Sequence, residues 1–144
     1  MSKETSYAYA AGLIDGEGTI TLGRERASSE FRHPIVSIPS TTPELVEFMR
    51  QVFTGTISNK VSLTGHTPSK TWRVCYGVAV EFLELTLPYL QEPEKVRRAQ
   101  LLINEYRNLT PRNGKYSEEQ RKKKLDFEKR FFETAKRQKN RIRW

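Results

Sequence analysis

Nine consecutive residues constrain this chain most: Ala10-Ala11-Gly12-Leu13-Ile14-Asp15-Gly16-Glu17-Gly18. Ser6 is the predicted N-cap and Tyr7 to Asp15 the predicted helix. Gly16 and Gly18 are expected to stop it by adopting backbone angles that other residues resist, with Glu17 held between them in a tight turn. Ala10, Leu13 and Ile14 recur at i, i+3, i+4 and suit a core. Ala8, Ala11 and Gly12 repeat that spacing with almost no side chain, which lets another backbone approach closely. Asp15 falls in the last turn, where the helix dipole disfavours negative charge. A small-residue face and two carboxylates therefore meet at one helix end. An arbitrary segment of this kind is more often a small core helix with a glycine cap and solvated acids.

The whole nonapeptide outweighs that base rate. It resembles the LAGLIDADG motif of the homing endonucleases, departing at its first, seventh and eighth positions with Ala10, Gly16 and Glu17. Two departures are small residues and the third keeps the carboxylate. The resemblance extends to about Leu109. It implies an α+β fold of αββαββα order, whose curved antiparallel sheet lies in the DNA major groove.

Composition narrows the class further. A chain of 144 residues is one domain with room for a single core. No apolar run is long enough to span a bilayer, and Met1-Ser2-Lys3-Glu4 opens no secretory signal, so an intracellular, membrane-free protein is expected. Cys75 is the only cysteine and reads as a packed or groove-facing residue. The net charge of +8 is unevenly placed. Residues 1–111 hold 12 basic and 12 acidic side chains, and residues 112–144 hold 13 and 5. The division expected is a core over 1–110 and a basic helical extension over 111–144, packing on the core and on DNA backbone.

Along the chain, Thr19 to Arg26 alternates as a strand, with Ile20 and Leu22 on one face. Arg24 and Arg26 fall on the apolar parity, so either Gly23 marks a bulge or the arginines lie past the core edge. Phe31 to Ile38 is the second strand, interrupted in its hydrogen bonding by Pro34. Thr42 and Pro43 start a helix with Leu45, Phe48, Met49, Val52 and Phe53 as its core stripe, ended by Gly55. Thr56–Leu63 and Thr71–Val78 form a hairpin whose apolar face includes Trp72, Val74, Tyr76 and Val78. Helices follow from about Ala79 to Leu87 and from Pro93. A last helix, Glu118 to about Lys139, carries Leu125, Phe132 and Ala135 as its apolar side. His33 has no local partner for a metal site.

The resemblance then supplies roles. With one motif per chain, Ala8, Ala11, Gly12 and Asp15 form a homodimer interface, and a symmetric dimer implies a near-palindromic double-stranded DNA target. Glu17 and the Gly16 carbonyl bind Mg²⁺, for which Mn²⁺ or Ca²⁺ can substitute in binding. Lys95 matches the basic residue of the solvent network around the metals, and Ser40 stands where many members have glutamine. Base readers are Thr21, Gly23, Glu25, His33, Ser37, Ser58, Lys60, Ser62, Thr71 and Arg73, with Ile35 against a thymine methyl. Arg24, Arg26, Arg32, Arg112, Lys115, Lys139 and Arg141 are expected on DNA as well. The implied reaction is a metal-dependent double-strand break with short 3′ overhangs and no protein partner beyond the second copy. The alternatives are an RNA-binding intron maturase and a DNA-binding regulator that kept the fold.

Overall fold

The structure, a computed structural model, describes residues 1–60, 65 and 67–141, without the side chains of 134–141. Ser62, Lys139 and Arg141, expected on DNA, lie outside the residues whose side chains are described. The elements run α1 (Lys3–Glu17), β1 (Thr19–Gly23), β2 (His33–Ser40), α2 (Pro43–Phe53), β3 (Thr56–Lys60), β4 (Ser69–Cys75), α3 (Tyr76–Thr86), α4 (Pro93–Leu101) and α5 (Glu118–Arg141). A π-helical turn, Leu102–Tyr106, prolongs α4. The strands form one antiparallel sheet in the order β1-β2-β4-β3. The α+β expectation and its element order hold. No helix among the described residues is long and apolar enough to cross a membrane.

Period-two alternation divides the sheet into two faces. Ile20, Leu22, Val36, Ile38, Trp72 and Val74 are buried on one. The helices cover that face with Ile14 of α1, Val46, Met49 and Phe53 of α2, and Val80, Phe82 and Leu83 of α3. Trp72 is fully buried, and its indole N–H donates to the Thr54 carbonyl at 2.8 Å. This bond shapes the α2–β3 connection. Gly55 has φ +96°, and a Cβ there would lie 2.7 Å from the Trp72 ring nitrogen and 2.8 Å from the Arg73 carbonyl oxygen. Gly55→Ala is therefore expected to cost about 2 kcal/mol, combining a forbidden backbone angle with a clash, read as a lowered urea midpoint at unchanged slope.

Several local expectations change. Helix α1 begins four residues early, on Ser2, whose side chain accepts from the Thr5 amide; Ser6 is buried inside the helix. Helix α2 is rotated, with Val46, Met49 and Phe53 inward and Val52 43% exposed, as the Phe48 and Phe53 rings turn to pack on Tyr9 and Tyr7 of α1. Strand β4 ends at Cys75, so Tyr76 and Val78 open α3 and are both exposed rather than lying on the apolar face. Cys75 is half-buried and free, and burial pushes its thiol pKa up.

The C-terminal helix is anchored by other residues than those predicted. Phe127 and Phe131 are fully buried, while Leu125 is 46% exposed. Lys124 also goes inside: its ammonium donates to the Thr110 hydroxyl and lies 4.1 Å from the Tyr106 ring centroid. The four-residue spacing of Phe127 and Phe131, with Lys124 and Glu128 beside them, makes a mixed inner stripe that apolar periodicity alone does not mark. Burial lowers the Lys124 pKa from 10.5 to about 8, against the pull of Glu128. Between those values the unfolded chain binds the proton and the folded chain does not, so stability rises with pH across that window, by at most about 3 kcal/mol. Lys124→Met is expected to remove this part of the pH dependence, measured as the difference in melting temperature between pH 8 and pH 10.

Candidate active site and nucleic-acid interface

Helix α1 passes directly into β1 through Gly18, whose amide donates to the Ile14 carbonyl at 3.0 Å. Gly18 has φ −88°, so no left-handed angle is needed. It is required by proximity, because a Cβ there would sit 2.8 Å from the Ile14 Cα. Gly16 remains inside the helix and Glu17 is its last residue, in place of the expected tight turn.

The end of α1 is tied to the start of α4 by reciprocal charges. Lys95 donates to the carbonyls of Ile14 and Asp15 at 2.7 and 2.9 Å. The Asp15 carboxylate accepts from the amides of Gln91 and Glu92 at 3.0 and 3.1 Å. The Glu92 carboxylate in turn caps α4 through the amides of Glu94 and Lys95. A cation thus meets the negative end of one helix, and carboxylates meet the positive end of the other. Asp15 and Lys95 are structural partners here, with their hydrogen-bonding groups engaged inside the chain.

Glu17 differs from both. It is exposed, and its carboxylate makes no hydrogen bond or ion pair with the described residues. It borders an open depression of about 450 Å³ with Ser40, Thr41, Thr42 and Ser69. Ser40 accepts from the Thr42 amide at 3.0 Å. The structure thus brings Glu17 and Ser40 together and places Lys95 behind them, on the backbone that carries Glu17.

The donor set fits a hard cation that retains water. Oxygen is the only ligand atom offered, by the Glu17 carboxylate and the helix-end carbonyl of Gly16. No group of three His, Cys, Asp or Glu residues that could hold a metal occurs among the described residues. The described residues of one chain therefore supply too few ligands for a closed protein site, as Mg²⁺ tolerates and structural Zn²⁺ does not.

On the sheet face away from the helices, the register aligns polar side chains in rows. Thr19, Ser37, Arg73 and Thr56 form one row. Pro39, Thr71 and Ser58 form the next, and Lys60 stands opposite Ser69. Thr21, Ile35 and Cys75 make a third row, and Gly23 faces His33. Arg73, Ser58 and Lys60 are exposed, while Thr21, Gly23, Ile35, Ser37 and Thr71 are half-buried. His33 is only 8% exposed because the Tyr76 ring lies on it, and burial lowers its pKa.

This arrangement of helices and sheet matches known structures. No family model and no curated protein matches the chain. Among solved structures, the archaeal intron-encoded homing endonuclease I-Vdi141I, complexed with DNA, superposes at a TM-score of 0.62. It is 14% identical over 92% of this chain and 86% of its own. The homing endonuclease I-CvuI, in complex with a DNA target, gives 0.56 at 21% identity over 70% of this chain and 65% of its own. I-TnaI gives 0.55 at 15% identity, covering 91% of this chain and 96% of its own. The chain has the LAGLIDADG homing endonuclease fold. It spans just under two thirds of the length of I-CvuI.

Within the LAGLIDADG fold, α1 leaves a different small-residue stripe on the surface from the one predicted. Ala11 is fully buried in its own core. Ala8, Gly12 and Gly16, at four-residue spacing, are exposed, and a Cβ at Gly12 or Gly16 would meet nothing within 4 Å. The awkward parity of Arg24 and Arg26 resolves because β1 ends at Gly23. Both arginines enter the β1–β2 turn, where they border one depression with Arg32 and Phe132 of α5. Arg32 lies 4.8 Å from the Phe132 ring centroid. Arg112 and Lys115 are exposed on the segment leading to α5. Part of the basic extension is neutralised internally, through Arg121 with Glu30, Arg130 with Glu105 and Asp126, and Lys123 with Glu119. Ser69 and Tyr76 were not singled out as site residues from the sequence. Their positions depend on where β4 begins and ends, which alternation does not locate to the residue.

Proposed function

We propose that the chain is one subunit of a homodimeric, site-specific endonuclease that cleaves both strands of a near-palindromic DNA site. The observation carrying this reading is Glu17: an exposed carboxylate with no partner among the described residues, at the end of the helix that also presents Ala8, Gly12 and Gly16 to solvent. Pairing two copies of that stripe sets two Glu17 residues side by side beside two polar sheet faces. The DNA complexes of I-Vdi141I and I-CvuI support the same reading.

In this proposal Glu17 and the Gly16 carbonyl hold Mg²⁺, with Ca²⁺ or Mn²⁺ substituting in binding. The bound ion supplies charge neutralisation at the phosphodiester and an acidified water. Lys95 fixes the helix end that aims Glu17, and Ser40 lines the depression as a polar contact. Thr21, Gly23, Glu25, Ile35, Ser37, Ser58, Lys60, Thr71 and Arg73 face the major groove, and the arginines of the β1–β2 turn contact phosphates. The extension over 111–144 adds backbone contacts through lysines and arginines such as Arg112, Lys115, Lys122 and Lys129. Short 3′ overhangs are the expected product.

Cleavage of a randomised duplex pool in Mg²⁺ tests the reading. Cuts at one near-palindromic sequence support it; specific binding without cutting in Mg²⁺ or Mn²⁺ overturns the nuclease in favour of a regulator. The dimer is tested separately with Gly12→Leu. The open space at Gly12 predicts no loss of monomer stability, and helix propensity predicts a small gain. Sedimentation is expected to show a dimer for the wild type and a monomer for the variant, with binding to a two-half-site duplex at least about tenfold weaker.

A further inference from the structure

Tyr76 adopts a backbone conformation that costs energy and is held by two side-chain contacts. Its φ is +56°, and Thr54 is the only other non-glycine residue with positive φ among the described residues. For a bulky aromatic this costs on the order of 1–3 kcal/mol. The ring stacks on His33, with centroids 4.0 Å apart and planes inclined by 8°. The hydroxyl donates to the Glu25 carboxylate at 3.1 Å. Tyr76 is still 46% exposed, so burial of the ring does not account for the arrangement.

The result is a carboxylate with a fixed direction. Glu25 sits on the exposed turn after β1, where a glutamate would otherwise sample many rotamers. It forms no ion pair with the described residues. The pairing of Gly23 with His33 puts the unit at the end of the polar face remote from Glu17, which precedes Thr19 at the other end of β1. A carboxylate there is repelled by phosphates. It suits DNA only where it accepts a hydrogen bond from a base edge, and in the major groove those donors are cytosine N4 and adenine N6.

We propose that Glu25, oriented by Tyr76 over His33, selects an exocyclic amino group at one base pair in the outer part of each half-site; this rests on the DNA-cleaving reading above. Glu25 is the reading group and Tyr76 its positioning residue. Neutral His33 suits the stack, and its burial favours that form. The four residue steps along β1 span about 13 Å, so with strands laid along the groove the position falls roughly four base pairs outward from those beneath Thr19.

The test is selection of bound sequences from a randomised duplex pool in Ca²⁺, using the full chain, Glu25→Gln and Tyr76→Phe, with melting curves to establish folding. Wild type is expected to enrich cytosine or adenine at one outer position per half-site, and the enriched base tells which amino group is read. Glu25→Gln is expected to lose about tenfold of that preference. Tyr76→Phe keeps the stack but frees the carboxylate, and is expected to lose several-fold at the same position alone. An enriched wild-type site with no base preference at any outer position overturns the inference and leaves the DNA reading standing. So does a profile unchanged in either variant, or a uniform weakening at every position. A wild-type pool with no enriched sequence overturns both.

Discussion

Glu17→Gln is expected to lower the cleavage rate at least about 10³-fold while Kd for the same duplex in Ca²⁺ changes no more than a few-fold. The separation follows from the position of the side chain. Glu17 is exposed and makes no hydrogen bond or ion pair with the described residues, so the isosteric amide removes no internal contact. Removing a negative charge from the C-terminal end of α1 even favours the helix slightly. Melting is therefore expected to stay level or rise, and the loss belongs to chemistry alone. Lys95→Met makes the contrast. Its ammonium serves two carbonyls at the end of α1, so its removal is expected to cost about 1–3 kcal/mol in stability as well as cleavage. A Lys95 that acted only through solvent near the phosphate would lower cleavage and leave the melting curve unmoved. Undiminished cutting by Glu17→Gln would remove the basis for the metal site.

What the sequence reveals here depends on whether a property is periodic or positional. The faces of β1 and β2 follow from alternation, and the structure buries Ile20, Leu22, Val36 and Ile38 on one side as that alternation requires. Element boundaries depend on tertiary contacts. Tyr76 continues the alternation of Trp72 and Val74, yet its φ of +56° ends the strand and turns its ring to the opposite face. No local signal marks this, since the stack on His33 and the bond to Glu25 come from distant segments.

The two acids of the nonapeptide show the same limit at the candidate site. Both are carboxylates at one helix end, and their sequence places them together. Their separate fates come from the segment that leads into α4, seventy-six residues on, whose Gln91 and Glu92 amides take Asp15 and leave Glu17 without a partner among the described residues. The small-residue stripe was legible as a type of surface but not in its phase. Alanine at 11 fits the core beneath α1 as well as it fits a dimer seam, and only packing assigns it to the first.

Phe131→Ala is expected to cost about 3–5 kcal/mol, a large share of the total stability of a domain this size. The side chain is fully buried, and the guanidinium of Arg98 lies 4.8 Å from its ring centroid. Arg98 also donates to the Ile20 carbonyl at 2.7 Å, so α5, α4 and β1 are joined through one side chain. The C-terminal helix therefore supports the strand that follows Glu17, and the cavity is expected to lower the urea midpoint and cleavage together. Lys122 and Lys129 lie on the exposed side of the same helix and make no ion pair among the described residues. Replacing either with alanine is expected to change stability by no more than about 0.5 kcal/mol. If that surface meets phosphates, each replacement lowers the salt slope of DNA binding by about one. A helix that only ordered on DNA would show the reverse: Phe131→Ala would leave the free protein's unfolding untouched and weaken binding alone. Comparing the two kinds of variant thus separates a helix that completes the core from a tail that waits for its ligand.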